Sequence, residues 1–230
     1  MDRWWQGAAD LVLGACCPLC EAPGGRVCRR CAASLPPEPV HVAAGDLEVV
    51  AAGVHAGPRR DAVLAWKLRA ASGLDPLLAH HLAAAVLTLV GDAEAVTLVP
   101  VPSTRRSRRE RGRDLVADLA VAAARDLTGI GLHGSARRCL RLVRQTADQH
   151  ALGREERALN LARSMRATAL PTGPVVVVDD IVTTGSTVRE AVRALASRGD
   201  VEVLGAAALV VAEQGGPAVA GHPVDGLRSR

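Results

Sequence analysis

Four β-branched residues in a row, Val175 to Val178, show no alternation with polar positions. Such a run predicts an interior strand of a parallel sheet that is buried on both faces. Asp179 and Asp180 close it. The turn Thr183-Thr184-Gly185-Ser186-Thr187 follows, and then apolar positions 188, 191, 192, 195 and 196 at helical spacing, with Gly199 as a stop. Upstream, 49–54 reads as a short strand and 59–68 as an amphipathic helix, apolar at 62, 63, 65 and 66. Residues 77–89 read as a strongly apolar helix, 96–102 as a strand ended by Pro100 and Pro102, and 114–127 as a helix apolar at 115, 116, 119, 120 and 123. Residues 136–166 are polar and only weakly periodic, and fit a flap over a site or a surface hairpin equally well. Strands alternating with helices predict an α/β fold with a central, mostly parallel sheet.

The segment at 175–187 also carries chemistry. Two carboxylates fall at the carboxyl end of a predicted parallel strand, the edge where open α/β sheets bind ligands. The hydroxyls of Thr183, Thr184, Ser186 and Thr187 stand at a helix N-terminus, where unpaired amides and the dipole favour an anion, and Gly185 lets backbone approach closely. A cap serving stability alone needs one such residue, whereas this segment has two acids and four hydroxyls. No Gly-Lys-Ser/Thr follows, so it is not a Walker A loop. The pattern describes a site for a phosphorylated sugar.

A second anion cradle is expected after 96–102. There Ser103, Thr104 and Ser107 alternate with six Arg between 105 and 113, in a loop that leads into a helix. Of 28 basic residues only Lys67 is a lysine, so an ammonium at the end of the 59–68 helix is a candidate for a specific role beside that of an ordinary dipole partner.

Four of the six cysteines form two pairs, Cys17-Pro-Leu-Cys20 and Cys28-Arg-Arg-Cys31. That spacing matches a four-cysteine zinc knuckle, a closed and therefore structural site for Zn²⁺. Two disulfides are disfavoured in a reduced compartment, and neither pair has the strand and long helix of a thioredoxin-like motif. Cys16 is an alternative ligand to Cys17, and Cys139 stands alone.

Composition sets bounds on function. Hydrophobic residues make up 49% of the 230, enough for a core, but aromatics make up 1%, so stacking on nucleobases is scarce. Residues 101–166 hold 15 Arg against 7 acids, net +8 within a chain of net +4, a region suited to polyanions. No stretch reads as a membrane span, and the apolar residues 11–13 are too short for a signal peptide, so a cytoplasmic protein without membrane insertion is expected. The expected organisation is a four-cysteine knuckle at 12–35, a Pro-rich linker at 36–45, an α/β domain at 46–213 and a loose tail at 214–230.

The hydrophobic strand, Asp179-Asp180, two further residues and Thr183-Thr184-Gly185-Ser186-Thr187 resemble the phosphoribosyl pyrophosphate (PRPP) motif of type I phosphoribosyltransferases. More of the chain resembles the ComF family of that group. The resemblance rests on the four-cysteine knuckle, the Lys-containing segment at 64–69, Val99-Pro100-Val101-Pro102 followed by Arg111-Gly112, Arg144-Gln145-Thr146 to Gln149, Glu156-Arg157 to Asn160-Leu161, and the PRPP motif. Leu68 stands where a Tyr is usual, and Arg113-Asp114 where a Phe-Asn pair is usual. These departures bear on base stacking and leave the phosphate chemistry intact.

The resemblance implies a type I phosphoribosyltransferase-like core in which Asp179 and Asp180 hold the ribose hydroxyls, directly or through Mg²⁺-bound water. Residues 183–187 would cradle the 5′-phosphate, with Ser103 and Thr104 on the pyrophosphate side, Lys67 as a further ligand-binding residue and Arg105 stabilising the leaving group. It further implies transfer of a phosphoribosyl group to a nitrogen acceptor. The alternative is a non-catalytic PRPP sensor, or a protein that binds single-stranded DNA or a helicase, since ComF relatives are linked to DNA uptake in competent bacteria.

Overall fold

The structure, a computed structural model, describes residues 16–68, 71–143 and 163–212. In chain order its elements are helix α1 (Arg29–Ala33), strands β1 (Val40–Ala44) and β2 (Leu47–Ala51), helix α2 (Gly57–Leu68), a 3₁₀ turn (Ser72–Leu74) and helix α3 (Asp75–Val90). Strand β3 (Ala95–Pro100), helices α4 (Arg105–Arg111) and α5 (Leu115–Gly129), and strands β4 (His133–Ala136), β5 (Leu140–Leu142) and β6 (Met165–Ala167) come next. Strand β7 (Val175–Val182), helix α6 (Ser186–Ala196) and strand β8 (Val203–Val211) complete it.

Among the described residues, six strands make one sheet in the order β1-β2-β8-β7-β3-β4, and β5 pairs with β6 separately. Only the β1–β2 hairpin is antiparallel; every other neighbour in the large sheet is parallel. The valine run of β7 is uninterrupted because both faces are covered. Val176 and Val178 join a core with Trp66, Leu78, Leu82 and Leu119, while Val175 and Val177 join one with Val188, Ala191, Leu195 and Met165.

The topology makes a crevice. From β3 the chain passes through α5 to β4 on one side, and from the adjacent β7 it passes through α6 to β8 on the other. Right-handed crossovers in opposite directions put their helices on opposite faces, as α5 and α6 are found. The chain therefore parts at the carboxyl ends of β3 and β7, the switch point where open α/β sheets bind ligands. Pro100 is in register with Val178, and the Val101 amide donates to the Val178 carbonyl at 2.9 Å. The loop after β3 thus starts beside Asp179 and Asp180.

Several expectations change. Residues 40–44, expected within a linker, form β1, whose pairing with β2 outweighs the Pro36, Pro37 and Pro39 run before it. The α/β unit therefore begins at about residue 40, and Leu35 is buried in its core. The short strand expected at 49–54 starts at Leu47, with Val54 in an isolated parallel bridge to Val211. β7 continues through Val182, past both acids. The segment Ser72–Val90 is long and apolar enough by length and composition to cross a membrane, contrary to the expectation that no stretch is. Much of α3 instead lies in the core, with Leu78, Leu82, Ala85 and Val86 buried. The resembling segments 144–149 and 156–161, the bulk of the candidate flap at 136–166 and the tail 214–230 lie outside the described residues, as do positions 12–15 of the knuckle.

Candidate functional site

Gly185 takes the N-cap position of α6 at φ +70°, in the left-handed region that side chains disfavour. With no side chain it contributes no cap, so the Thr187 and Val188 amides in the first turn of this 11-residue helix are left for a ligand. A Cβ here would collide with the Cβ of Ala44, the last residue of β1. Around this turn the Thr184 and Ser186 hydroxyls lie 2.9 Å apart, the Ser186 amide donates to Thr184 Oγ1 at 3.4 Å, and Arg189 reaches Ser186 Oγ at 3.5 Å. Thr183 is exposed and Thr187 half-buried at the same turn.

The acid pair is asymmetric. Asp179 is buried, and its Oδ1 accepts the Asp180 amide at 2.8 Å. Burial, and then the charge of Asp180, push its carboxyl up to about 8. Asp180 faces the crevice and its Oδ2 meets Lys67 Nζ at 2.8 Å, with the two side chains 14% and 22% exposed. The single lysine of the chain is therefore brought from the end of α2 to the acid pair. Its ammonium offsets carboxylate charge that would otherwise repel a phosphorylated ligand.

A raised carboxyl pKa carries a sign. Below about pH 4 Asp179 is protonated folded or unfolded. Between about 4 and 8 only the unfolded chain ionises, so the folded state loses stability as pH rises. Asp179→Asn keeps an oxygen for the Asp180 amide and is expected to stabilise the ligand-free protein. The gain in melting temperature should grow from pH 5 to pH 8, and a gain independent of pH would contradict the assignment.

Across the crevice, the Arg-rich stretch expected as a loop is mostly helix α4. Thr104 caps it, accepting the Ser107 amide at 3.1 Å and donating to Ser107 Oγ at 2.9 Å, and Arg106 pairs with Glu110 one turn on. Gly112 ends it in the left-handed conformation. Arg105 is its first residue and is exposed. Ser103 Oγ donates to Asp114 Oδ1 at 2.8 Å, and the buried Asp114 carboxylate also lies 3.7 Å from Arg108. Sequence reading singled out Ser103 and the arginines of 105–113 as an anion cradle but not Asp114, which holds Ser103 and Arg108. Its only signal is the Arg111-Gly112-Arg113-Asp114 string, whose partners are set by tertiary structure.

At the N-terminus, the sulfurs of Cys17, Cys20, Cys28 and Cys31 all lie within 4.8 Å of one another. Four thiolates around Zn²⁺ stand ~3.8 Å apart, given Zn–S bonds of about 2.3 Å in a tetrahedron. Cys20 and Cys28 are already 3.7 Å apart. The Cys28 amide points at Cys17 Sγ and the Cys31 amide at Cys28 Sγ, each at 3.4 Å. Burial raises the Cys17 thiol, but amides of Cys28, Leu19 and Cys20 outweigh it and bring it to about 6. The Cys20 and Cys28 sulfurs push Cys31 up to about 12. Four thiols competing for protons at one point are a donor set for a soft cation, and the knuckle fits structural zinc. Cys16 is exposed and outside the cluster. Elemental analysis should find about one zinc per chain, and Cys17→Ser should lose the metal and lower the melting temperature. A metal-free wild type that melts at the same temperature with and without added zinc would reject the assignment.

His133 sits at the start of β4, paired with Ala95 at the start of β3, so it lies at the sheet edge opposite the crevice. His150 lies outside the described residues. A search of curated proteins gave no match to the chain. The family model described as the phosphoribosyl transferase domain does match, over residues 120–228, the stretch that holds Asp179, Asp180 and the Thr183–Thr187 turn, and it supports a type I phosphoribosyltransferase.

Proposed function

We propose that the protein binds PRPP with Mg²⁺ and transfers its phosphoribosyl group to a nitrogen acceptor, releasing pyrophosphate. The observation that carries this reading is the Lys67–Asp180 contact beside an uncapped helix N-terminus, at the switch point between β3 and β7. Asp179 and Asp180 accept the ribose 2′- and 3′-hydroxyls, and the first-turn amides of α6 with the hydroxyls of residues 183–187 take the 5′-phosphate. Ser103, Thr104, Lys67 and the backbone after Pro102 form the pyrophosphate side, with Arg105 near the leaving group. Mg²⁺, when bound, neutralises pyrophosphate oxygens. The acceptor's lone pair forms a bond to the anomeric carbon as the bond to pyrophosphate breaks, and the protein positions both and stabilises the departing charge. His133, at the opposite end of the sheet, does not serve as a base, and an acceptor nucleophilic in its own right needs none. Membership of the ComF family and a cytoplasmic location belong to the same proposal.

The test is a screen of nucleobases and amines for pyrophosphate release from PRPP and Mg²⁺. Acceptor-dependent release supports the enzyme. Tight PRPP binding without release from any acceptor favours a sensor. The exposed arginines of α4 favour one further alternative, contact with single-stranded DNA or a competence helicase. A steep fall in oligonucleotide affinity with salt would support it.

A further inference from the structure

Lys67 reaches Asp180 from the last turn of α2, and something must hold that turn in place. Trp66, its neighbour, is fully buried, and its indole N–H donates to Asp75 Oδ1 at 2.7 Å. The other oxygen of Asp75 accepts Arg113 Nη1 at 2.7 Å, and Arg113 Nε donates to Asp118 Oδ2 at 3.0 Å. Arg113 directly precedes Asp114, the buried carboxylate that holds Ser103. One carboxylate therefore ties the end of α2, which carries the ammonium of the acid pair, to the segment that anchors the opposite loop. Asp75 and Arg113 are each 27% exposed, shielded enough for the pair to be strong.

We infer that Asp75 is a positioning residue for the ligand site, acting through Trp66 to set Lys67 against Asp180, with the Arg113 ion pair holding its carboxylate in place for that role. The inference rests on the PRPP reading above. The plainer account is that Asp75 serves only the N-terminus of α3, where it is the first residue. That role would affect stability and leave ligand affinity alone.

A double-mutant cycle separates the two. Calorimetry would measure PRPP affinity with Mg²⁺ for the wild type, Asp75→Asn, Lys67→Met and the double variant, alongside each ligand-free melting temperature. Asp75→Asn retains an acceptor for Trp66 but loses the ion pair to Arg113, and its affinity should fall about tenfold. In the Lys67→Met background the same change should cost less than about twofold, because the group it positions is gone. Arg113→Gln, which leaves Asp75 and Trp66 untouched, should show the same non-additivity. Additive effects, or an Asp75→Asn variant with wild-type affinity, would overturn the inference. If both Asp75→Asn and Arg113→Gln fail to fold, Asp75 is structural and the inference also falls. A wild type that does not bind PRPP would instead overturn the ligand reading itself.

Discussion

Gly185→Ala is expected to lose PRPP binding and to melt well below the wild type. The residue sits at φ +70° at the mouth of the phosphate turn, where a side chain costs about 1–2 kcal/mol in backbone strain. The added Cβ also collides with Ala44, and overpacking of that kind costs about 1–3 kcal/mol. For a domain of this size a combined loss of about 3 kcal/mol lowers the melting temperature by roughly 6–12 °C. The collision moves the turn or β1, so the first-turn amides of α6 no longer converge on one point. Ala44→Gly in the same chain relieves the collision but not the strain, so it should restore part of the melting temperature. Full restoration would mean that strain contributes nothing, and none would mean that the packing against β1 is wrongly assigned.

Asp180→Asn is expected to weaken PRPP binding by about 100-fold while leaving the fold intact. A charged acceptor becomes a neutral one, and a charge-assisted hydrogen bond is worth about 1.5–3 kcal/mol. Lys67 also loses the carboxylate that holds it at 2.8 Å. Thermal denaturation gives a second readout. A ligand at 100 times its dissociation constant stabilises by about 2.7 kcal/mol, and a 100-fold loss of affinity removes most of that shift. The ligand-free variant should melt near the wild type, because Asp180 is partly open to solvent and, among the described residues, Lys67 alone pairs with its carboxylate. A variant with an undiminished PRPP-dependent shift would remove Asp180 from the site.

How much of this was legible along the chain depends on how local each signal is. The valine run and the hydroxyl-rich turn could be read because strand, acids, turn and helix are consecutive, and doubly covered strands need no alternation. The knuckle was legible because both cysteine pairs have ligand spacing on their own. Strand β1 was hidden by the prolines before it, and its role under Gly185 depends on Ala44, a residue with no chemistry of its own. Helix α4 was hidden because its Arg content outweighs its helix signals, the Thr104 cap and the Arg106–Glu110 pair. Lys67 stood out by composition, but its partner lies far along the chain and only the sheet topology brings them together. The bridge through Asp75 and Arg113 joins three separate segments, and no periodicity encodes it.

The central claim is that the crevice between β3 and β7 is a PRPP site. Calorimetric titration of the full chain with PRPP, with and without Mg²⁺, tests it most directly. Saturable one-site binding that requires Mg²⁺ and is lost in Asp180→Asn is the result predicted. A folded wild-type protein that gives no binding heat and no thermal shift at millimolar PRPP with Mg²⁺ would contradict it.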